Sequence, residues 1–160
     1  MNFEFSEEQN LLREQAQGFL ATNSAHSVGR RVLESDAEYD EELWQKIVAM
    51  GWTATVIPEE YGGLGLSYLE LSVIAEEIGR AVAPVPFSSS VYLATEAILL
   101  AGSREQKERW LPRLAAGEAI GTLAMTEGAG RKRLAVDRTR SVLALAGAWL
   151  VNRQTKTQGA

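Results

Sequence analysis

Cysteine is absent from this sequence of 160 residues, and histidine occurs only once, as His26. Without cysteine the chain has no disulfide framework, no thiolate nucleophile and no zinc–thiolate site. A single histidine also provides no cluster for a His-based metal centre. We therefore predict no metal site and interpret His26 as a solvated loop residue.

Long hydrophobic runs are also missing. The longest, from Ser141 to Val151, is about half of what a membrane-spanning helix needs. The first residues, MNFEFSEEQ, lack the basic region and the long apolar stretch of a secretion signal. These features predict a soluble, cytoplasmic protein with no membrane span.

Basic residues are scarce in most of the chain. Residues 1–130 contain 9 Lys and Arg against 20 Asp and Glu, whereas residues 131–160 contain 7 basic residues and a single acidic one, Asp137. This change of sign indicates two segments of different character. No nucleic-acid-binding fold accompanies the basic segment, so we predict no nucleic-acid partner.

Helix signals dominate the first 117 residues. A serine followed three residues later by Gln or Glu, with apolar residues at helical spacing behind it, predicts a capped helix. This pattern occurs at Ser6–Gln9, Ser67–Glu70 and Ser103–Gln106, and Asp40 is placed to cap a further helix. Another helix is predicted from about Val91 to Leu100, ending at Gly102. Residues 1–117 are therefore expected to form a helical bundle.

Breaks separate these helices. Residues 52–57 have an extended, β-branched pattern that Pro58 stops, and Pro112 is expected to kink or end the helix that contains it. Gly62–Gly65 can be a phosphate loop or a turn between helices. The turn is the favoured interpretation, because the run lacks both the G-x-G-x-x-G spacing and a following Gly-Lys-Ser/Thr.

The pattern changes after Gly117. Residues 119–126 are predicted to form a strand and residues 128–130 a turn. The hydroxyl of Thr126, free backbone amides and nearby glycines such as Gly130 suit a planar polar ligand. A strand followed by a tight turn explains the same residues equally well. The predicted fold is thus mainly α: a helical bundle over 1–117, one or two strands of an incomplete β-domain from 118 to 130, and an atypical basic tail over 131–160.

Taken in order, several short motifs resemble the acyl-CoA dehydrogenases. They are Phe5–Gln9, Trp44 with Gly51-Trp52, Pro58–Gly65, Glu76–Arg80, Ala83–Pro86, Gly102-Ser103, Gln106-Lys107, Trp110–Pro112, Gly117 and Ala124–Glu127. The resemblance covers about 130 residues. It implies an N-terminal helical domain, a middle β-domain and a C-terminal helical bundle.

The same resemblance implies a chemistry. Members of the family use FAD to oxidise an acyl-CoA thioester, and they usually pass the electrons to an electron-transferring flavoprotein. Met125 and Thr126 match positions that lie against the flavin ring, and Gly130 matches a glycine of the cofactor loop. The family's following Ser-Asp pair is replaced by Arg131-Lys132, and its base, a glutamate usually from the C-terminal bundle, has no counterpart here.

Several functional hypotheses follow from the resemblance. The first is the front part of an FAD-dependent acyl-CoA dehydrogenase, inactive as this truncated chain and unable to retain FAD. The second is a non-catalytic helical module that pairs with an intact homologous chain in a homo- or hetero-oligomer. A third is a related flavin monooxygenase or acyl-CoA oxidase. The basic segment over 131–160 is interpreted as foreign to the family, as a shift of reading frame near codon 130 would make it. The alternative is a genuine variable tail.

Overall fold

The computed structural model describes residues 5–123. Its α-helices are α1 (Glu7–Asn23), α2 (His26–Leu33), α3 (Glu41–Ala49), α4 (Tyr68–Arg80), α5 (Glu96–Ala101) and α6 (Arg104–Ala115). Two 3₁₀ turns, Trp52–Ala54 and Glu59–Tyr61, lie between α3 and α4, and a π-helix, Ser88–Thr95, precedes α5. The predicted mainly α fold is confirmed over this part of the chain.

The main core lies between α1, α3 and α4. α1 contributes Ala16 and Leu20, and α4 contributes Ile74 and Ile78, all of them buried in one cluster that also includes Trp44 of α3. Fully burying one large apolar side chain of this kind contributes about 1.5–3 kcal/mol. A second cluster joins α5 and α6 through Ile98, Leu111 and Leu114.

The predicted helix starts are confirmed. The N–H of Gln9 donates to Ser6 Oγ at 3.2 Å, and the Ser6 N–H donates to Gln9 Oε1 at 3.0 Å. The same reciprocal arrangement is present at Ser67 and at Ser103, and Asp40 Oδ1 accepts the Leu43 N–H at 2.8 Å. Because each cap satisfies backbone donors that the helix leaves free, each contributes about 1 kcal/mol.

The extended segment predicted for residues 52–57 is wrong. Gly51 has a φ of 75°, and the chain then closes into a 3₁₀ turn in which the Ala54 N–H donates to the Gly51 carbonyl at 3.0 Å. Thr55 Oγ1 donates to the Trp52 carbonyl at 2.8 Å. Trp52 and Thr53 are both buried, so the apolar run reflects a fully enclosed turn rather than a strand.

Pro112 does not end its helix at once, so that half of the prediction is wrong, whereas a kink at Pro112 stays a prediction. α6 continues to Ala115, and the Pro112 carbonyl accepts the Ala116 N–H at 2.9 Å. Proline removes one backbone donor from the helix. The buried side chains of Leu111 and Leu114 on either side of it hold the last turn against the core.

Two further helices differ in detail from the sequence analysis. His26 is exposed, as expected, but it is the first residue of α2 rather than part of a loop. The helix predicted over about 91–100 starts earlier, as the π-helix Ser88–Thr95, and continues as α5 to Ala101, with Gly102 at its end. No helix of the described part of the chain is long and apolar enough to cross a membrane.

Residues 118–123 follow α6 without regular secondary structure. Residues 119–123 form no strand, and no strand occurs elsewhere in residues 5–123, so the strand predicted over 119–126 stays a prediction. Residues 124–126 and the basic segment over 131–160 lie outside the described residues. The domain limits at 117 and 130 therefore stay predictions.

Candidate functional site

An open groove of about 850 Å³ lies where the chain leaves the helical bundle. One wall is the turn after α4, another is the start of α3, and the third is the segment after α6. The side chains that line it are Glu38, Tyr39, Glu41, Trp44, Gln45, Ala83, Pro84, Val85, Pro86, Ser89, Gly117, Glu118, Ile120, Gly121 and Thr122.

The turn after α4 is fixed by unusual backbone geometry. Val82 has a φ of 46°, which a β-branched residue rarely adopts. The following Pro84 cannot donate a hydrogen bond, but its carbonyl accepts the Asp40 N–H at 2.8 Å. This bond ties the turn to the start of α3, so two walls of the groove are held at a fixed separation.

The groove is apolar and acidic. Trp44 is 1% exposed, and its indole Nε1 has no hydrogen-bond partner among the described residues. The exposed residues Glu38, Glu41 and Glu118 are among those that line the groove, and no Lys or Arg is among the described lining residues. Such walls favour an apolar group and disfavour phosphates.

Asp40 stands directly behind this wall and is charged. Burial by itself raises the pKa of Asp40, but hydrogen bonds from the Leu43 N–H and from the Arg31 guanidinium outweigh it and lower the pKa below its ordinary value. The negative charge of a carboxylate at this position also interacts favourably with the partial positive charge at the N-terminal end of α3, which stabilises the helix.

The glycine run at Gly62–Gly65 is a turn and not a phosphate loop. Six consecutive amides, from residue 61 to residue 66, donate to carbonyls between residues 54 and 59 at 2.8–3.1 Å. A phosphate loop needs such amides to be free for the ligand. A Cβ on Gly63 would stand 1.8 Å from the Ile57 carbonyl oxygen, so the glycine there serves close backbone packing.

The acidic pair Glu76 and Glu77 on α4 makes ion pairs both within α4 and with α1. Arg80 contacts Glu76 at 2.7 Å and Glu77 at 3.3 Å, while Arg13 of α1 contacts Glu76 at 3.0 Å. Glu77 is only 2% exposed and also accepts from Gln17 Nε2 at 3.2 Å. This network joins α1 to α4 and does not face the groove.

The residues expected to contact a flavin are not among those described. Met125, Thr126 and Gly130 lie beyond residue 123, although Thr122 of the groove is only three residues before Met125 in sequence. Within residues 5–123 no three His, Asp or Glu side chains are grouped to hold a metal ion. The described residues therefore contribute the walls of the groove, and these walls offer no free amides or cations for a phosphate. They are not by themselves a dinucleotide site.

Comparison with known proteins identifies this architecture. The sequence model described as "Acyl-CoA dehydrogenase, N-terminal domain" matches residues 6–118. The chain belongs to the acyl-CoA dehydrogenase family. Mitochondrial isovaleryl-CoA dehydrogenase of Pongo abelii is 36% identical over 124 residues, which are 76% of this chain and 29% of that protein.

Solved structures agree with this assignment. The ChsE4-ChsE5 complex from Mycobacterium tuberculosis superposes with a TM-score of 0.74 and 27% identity, over 82% of this chain and 36% of that one. An acyl-CoA dehydrogenase complexed with FAD from Bacillus anthracis gives a TM-score of 0.69 and 28% identity, over 80% of this chain and 22% of that one. This chain thus spans between about a fifth and a little over a third of the length of these relatives.

Sequence reasoning missed the groove. Its walls come from residues near 40, near 85 and near 120, and only the fold brings these three segments together. The one local signal was Ala83-Pro84-Val85-Pro86, which the sequence analysis used only as a motif of the family resemblance. Because neither proline has a backbone N–H, this part of the groove wall has few hydrogen-bond donors.

Proposed function

We propose that this chain provides the N-terminal helical domain of an FAD-dependent acyl-CoA dehydrogenase, an enzyme that removes hydrogen from the α and β carbons of an acyl-CoA thioester. The observation that carries the proposal is the family match over residues 6–118. FAD supplies the hydride acceptor when it is bound, and the groove receives part of the apolar acyl group.

The position of the groove supports this role. Thr122, at its edge, is three residues before Met125 and four before Thr126, which the family resemblance places against the flavin. Three residues of chain span at most about 11 Å. The groove therefore lies within reach of the residues expected to contact the cofactor, as an acyl-binding wall requires.

Tryptophan fluorescence tests the groove. The full chain is titrated with butyryl-CoA and longer acyl-CoA thioesters, with CoA as the comparison. We expect a saturable change in emission with thioesters and a smaller one with CoA, because Trp44 lines the groove while the other tryptophans of residues 5–123, Trp52 and Trp110, do not. Trp44→Phe is the matched control and should remove the response. Equal responses to CoA and to thioesters would contradict the assignment of the groove.

Activity and cofactor retention are tested separately. We propose that the 160-residue chain, supplied with FAD, a thioester and an artificial electron acceptor, shows no turnover above a buffer blank. It should also be purified without the absorbance bands of a flavin. The reason is that hydrogen bonds worth about 0.5–1.5 kcal/mol each cannot hold a dinucleotide without a pocket. Turnover, or a yellow preparation with near-stoichiometric flavin, would overturn this part.

The proposed partners are an electron-transferring flavoprotein and a further dehydrogenase chain, which would meet this one in the cytoplasm. Leu64, Leu66 and Leu69, after the glycine turn, are exposed, and large apolar side chains on a surface support an interaction face. Size-exclusion chromatography and binding of a hydrophobic dye test this face. A clean monomer that binds no dye would count against it.

A further inference from the structure

A π-helix stands beside the groove. Over Ser88–Thr95 the helix is wound more loosely than an α-helix, and Thr95 Oγ1 donates to the carbonyl of Ser90, five residues earlier, at 2.9 Å. π-helical turns are rare and are frequent at functional sites. Ser90 and Thr95 are both buried, so this distortion presents polar groups to the interior rather than to water.

One of these groups holds the segment after α6. The hydroxyl of Ser90 accepts the Gly121 N–H at 3.3 Å, across 31 residues of sequence, and Ser90 is 1% exposed. A second anchor lies two residues earlier, where the Ala119 N–H donates to the Arg113 carbonyl at 3.1 Å. Both donors are at the point where the chain leaves the helical bundle.

We propose that Ser90 is a positioning residue: its hydroxyl fixes the Gly121 amide and so directs the chain toward Met125 and Thr126. The inference rests on the proposed function, because only there do those two residues contact a flavin. Ser90 acts in this proposal through the backbone of residue 121.

Amide hydrogen exchange tests the bond directly in the full chain. In Ser90→Ala we expect the Gly121 amide to exchange about fivefold to tenfold faster, since a single hydrogen bond of ordinary net strength is lost. The Ala119 amide is the internal reference and should stay within about twofold, because its partner is the Arg113 carbonyl. We also expect amide chemical shifts to change as far along the chain as Met125 and Thr126.

Ser89→Ala is the matched control. Ser89 lines the groove and donates to the Pro86 carbonyl at 3.1 Å, but no hydrogen bond joins it to Gly121. This variant should leave exchange at Gly121 unchanged. Equal acceleration at Gly121 and Ala119 in Ser90→Ala would show general loosening, and unchanged exchange at Gly121 would show that the bond does not form. Either result overturns the proposal.

The unsubstituted protein provides a further test that does not depend on any variant folding. A Gly121 amide that exchanges at the rate of an unfolded chain would refute the proposal. Neither readout requires flavin, thioester or turnover. The positioning role and the proposed dehydrogenase function can therefore fail independently of each other.

Discussion

The glycine turn over residues 62–65 and the groove beside residues 83–89 are both built on irregular backbone, yet only one has space for a ligand. In the turn, the amides of residues 61–66 all bond to nearby carbonyls, and the chain closes on itself. In the groove, the two prolines have no backbone N–H to donate, and the walls enclose a volume of about 850 Å³. A glycine-rich run therefore indicates a ligand site only where its amides remain free.

The largest effect is expected from a substitution that forces the closed glycine turn to open. Gly63→Ala places a Cβ 1.8 Å from the Ile57 carbonyl oxygen, so the two backbone segments must separate. We expect a loss of about 3 kcal/mol in the free energy of unfolding, at the upper end of what overpacking costs. Urea unfolding followed by circular dichroism measures it.

Gly18→Ala is the control for this substitution. Gly18 lies within α1, and a Cβ there would meet nothing within 4 Å. Alanine should stabilise this position by up to about 1 kcal/mol through its better helix propensity. If the two substitutions had similar effects, close packing would not be the reason for the glycine at position 63.

A smaller loss is expected on the side of the groove. Gly117 has a φ of 68°, and a Cβ there would stand 2.4 Å from Val48 Cγ2. Gly117→Ala should cost about 2 kcal/mol, from left-handed backbone strain and from the collision. Combined with Val48→Ala, it should cost less than the sum of the two single substitutions, because the collision is relieved. Simple additivity would rule out a contribution from that collision.

A substitution that relieves the backbone strain in the turn after α4 should stabilise the protein. Val82 is 75% exposed and has a φ of 46°, so Val82→Gly relieves strain while losing little burial. We expect a gain of about 1 kcal/mol in unfolding free energy. Val82→Ala, which keeps the Cβ, should gain less. A destabilised glycine variant would show that the side chain contributes packing that outweighs the strain.

The smallest expected effect is a pH dependence of stability on the side of the glycine turn. The Gln9 side chain, followed by Ser67, lowers the pKa of Glu70, just after the glycine turn, from 4.5 to about 2. A carboxyl group whose pKa is lower in the folded chain than in the unfolded chain stabilises the fold at pH values above its unfolded pKa. This contribution is lost as the pH falls from about 4.5 to about 2. The stability difference between the parent chain and Glu70→Gln should shrink over that interval in urea unfolding. A difference independent of pH would contradict the assignment.

Local interactions were the predictable part of this fold. A capping box needs residues only three positions apart, so Ser6, Ser67 and Ser103 identified their helices from sequence. Long-range burial decided the rest: residues 52–57 look extended locally but are enclosed as a turn. The bond from Gly121 to Ser90 spans 31 residues, and no local pattern indicates it. Met125, Thr126 and Gly130 stay predictions.

The pairing of α1 with α4 has a consequence for synthesis of the chain. The partners of Arg13 and Gln17 are Glu76 and Glu77, 60 to 63 residues later. Ribosomes add about 5–20 residues per second, so the first helix waits for several seconds before its partner helix exists. During that time Leu20 and its apolar neighbours are available to chaperones, and the nascent chain is most exposed to misassociation then.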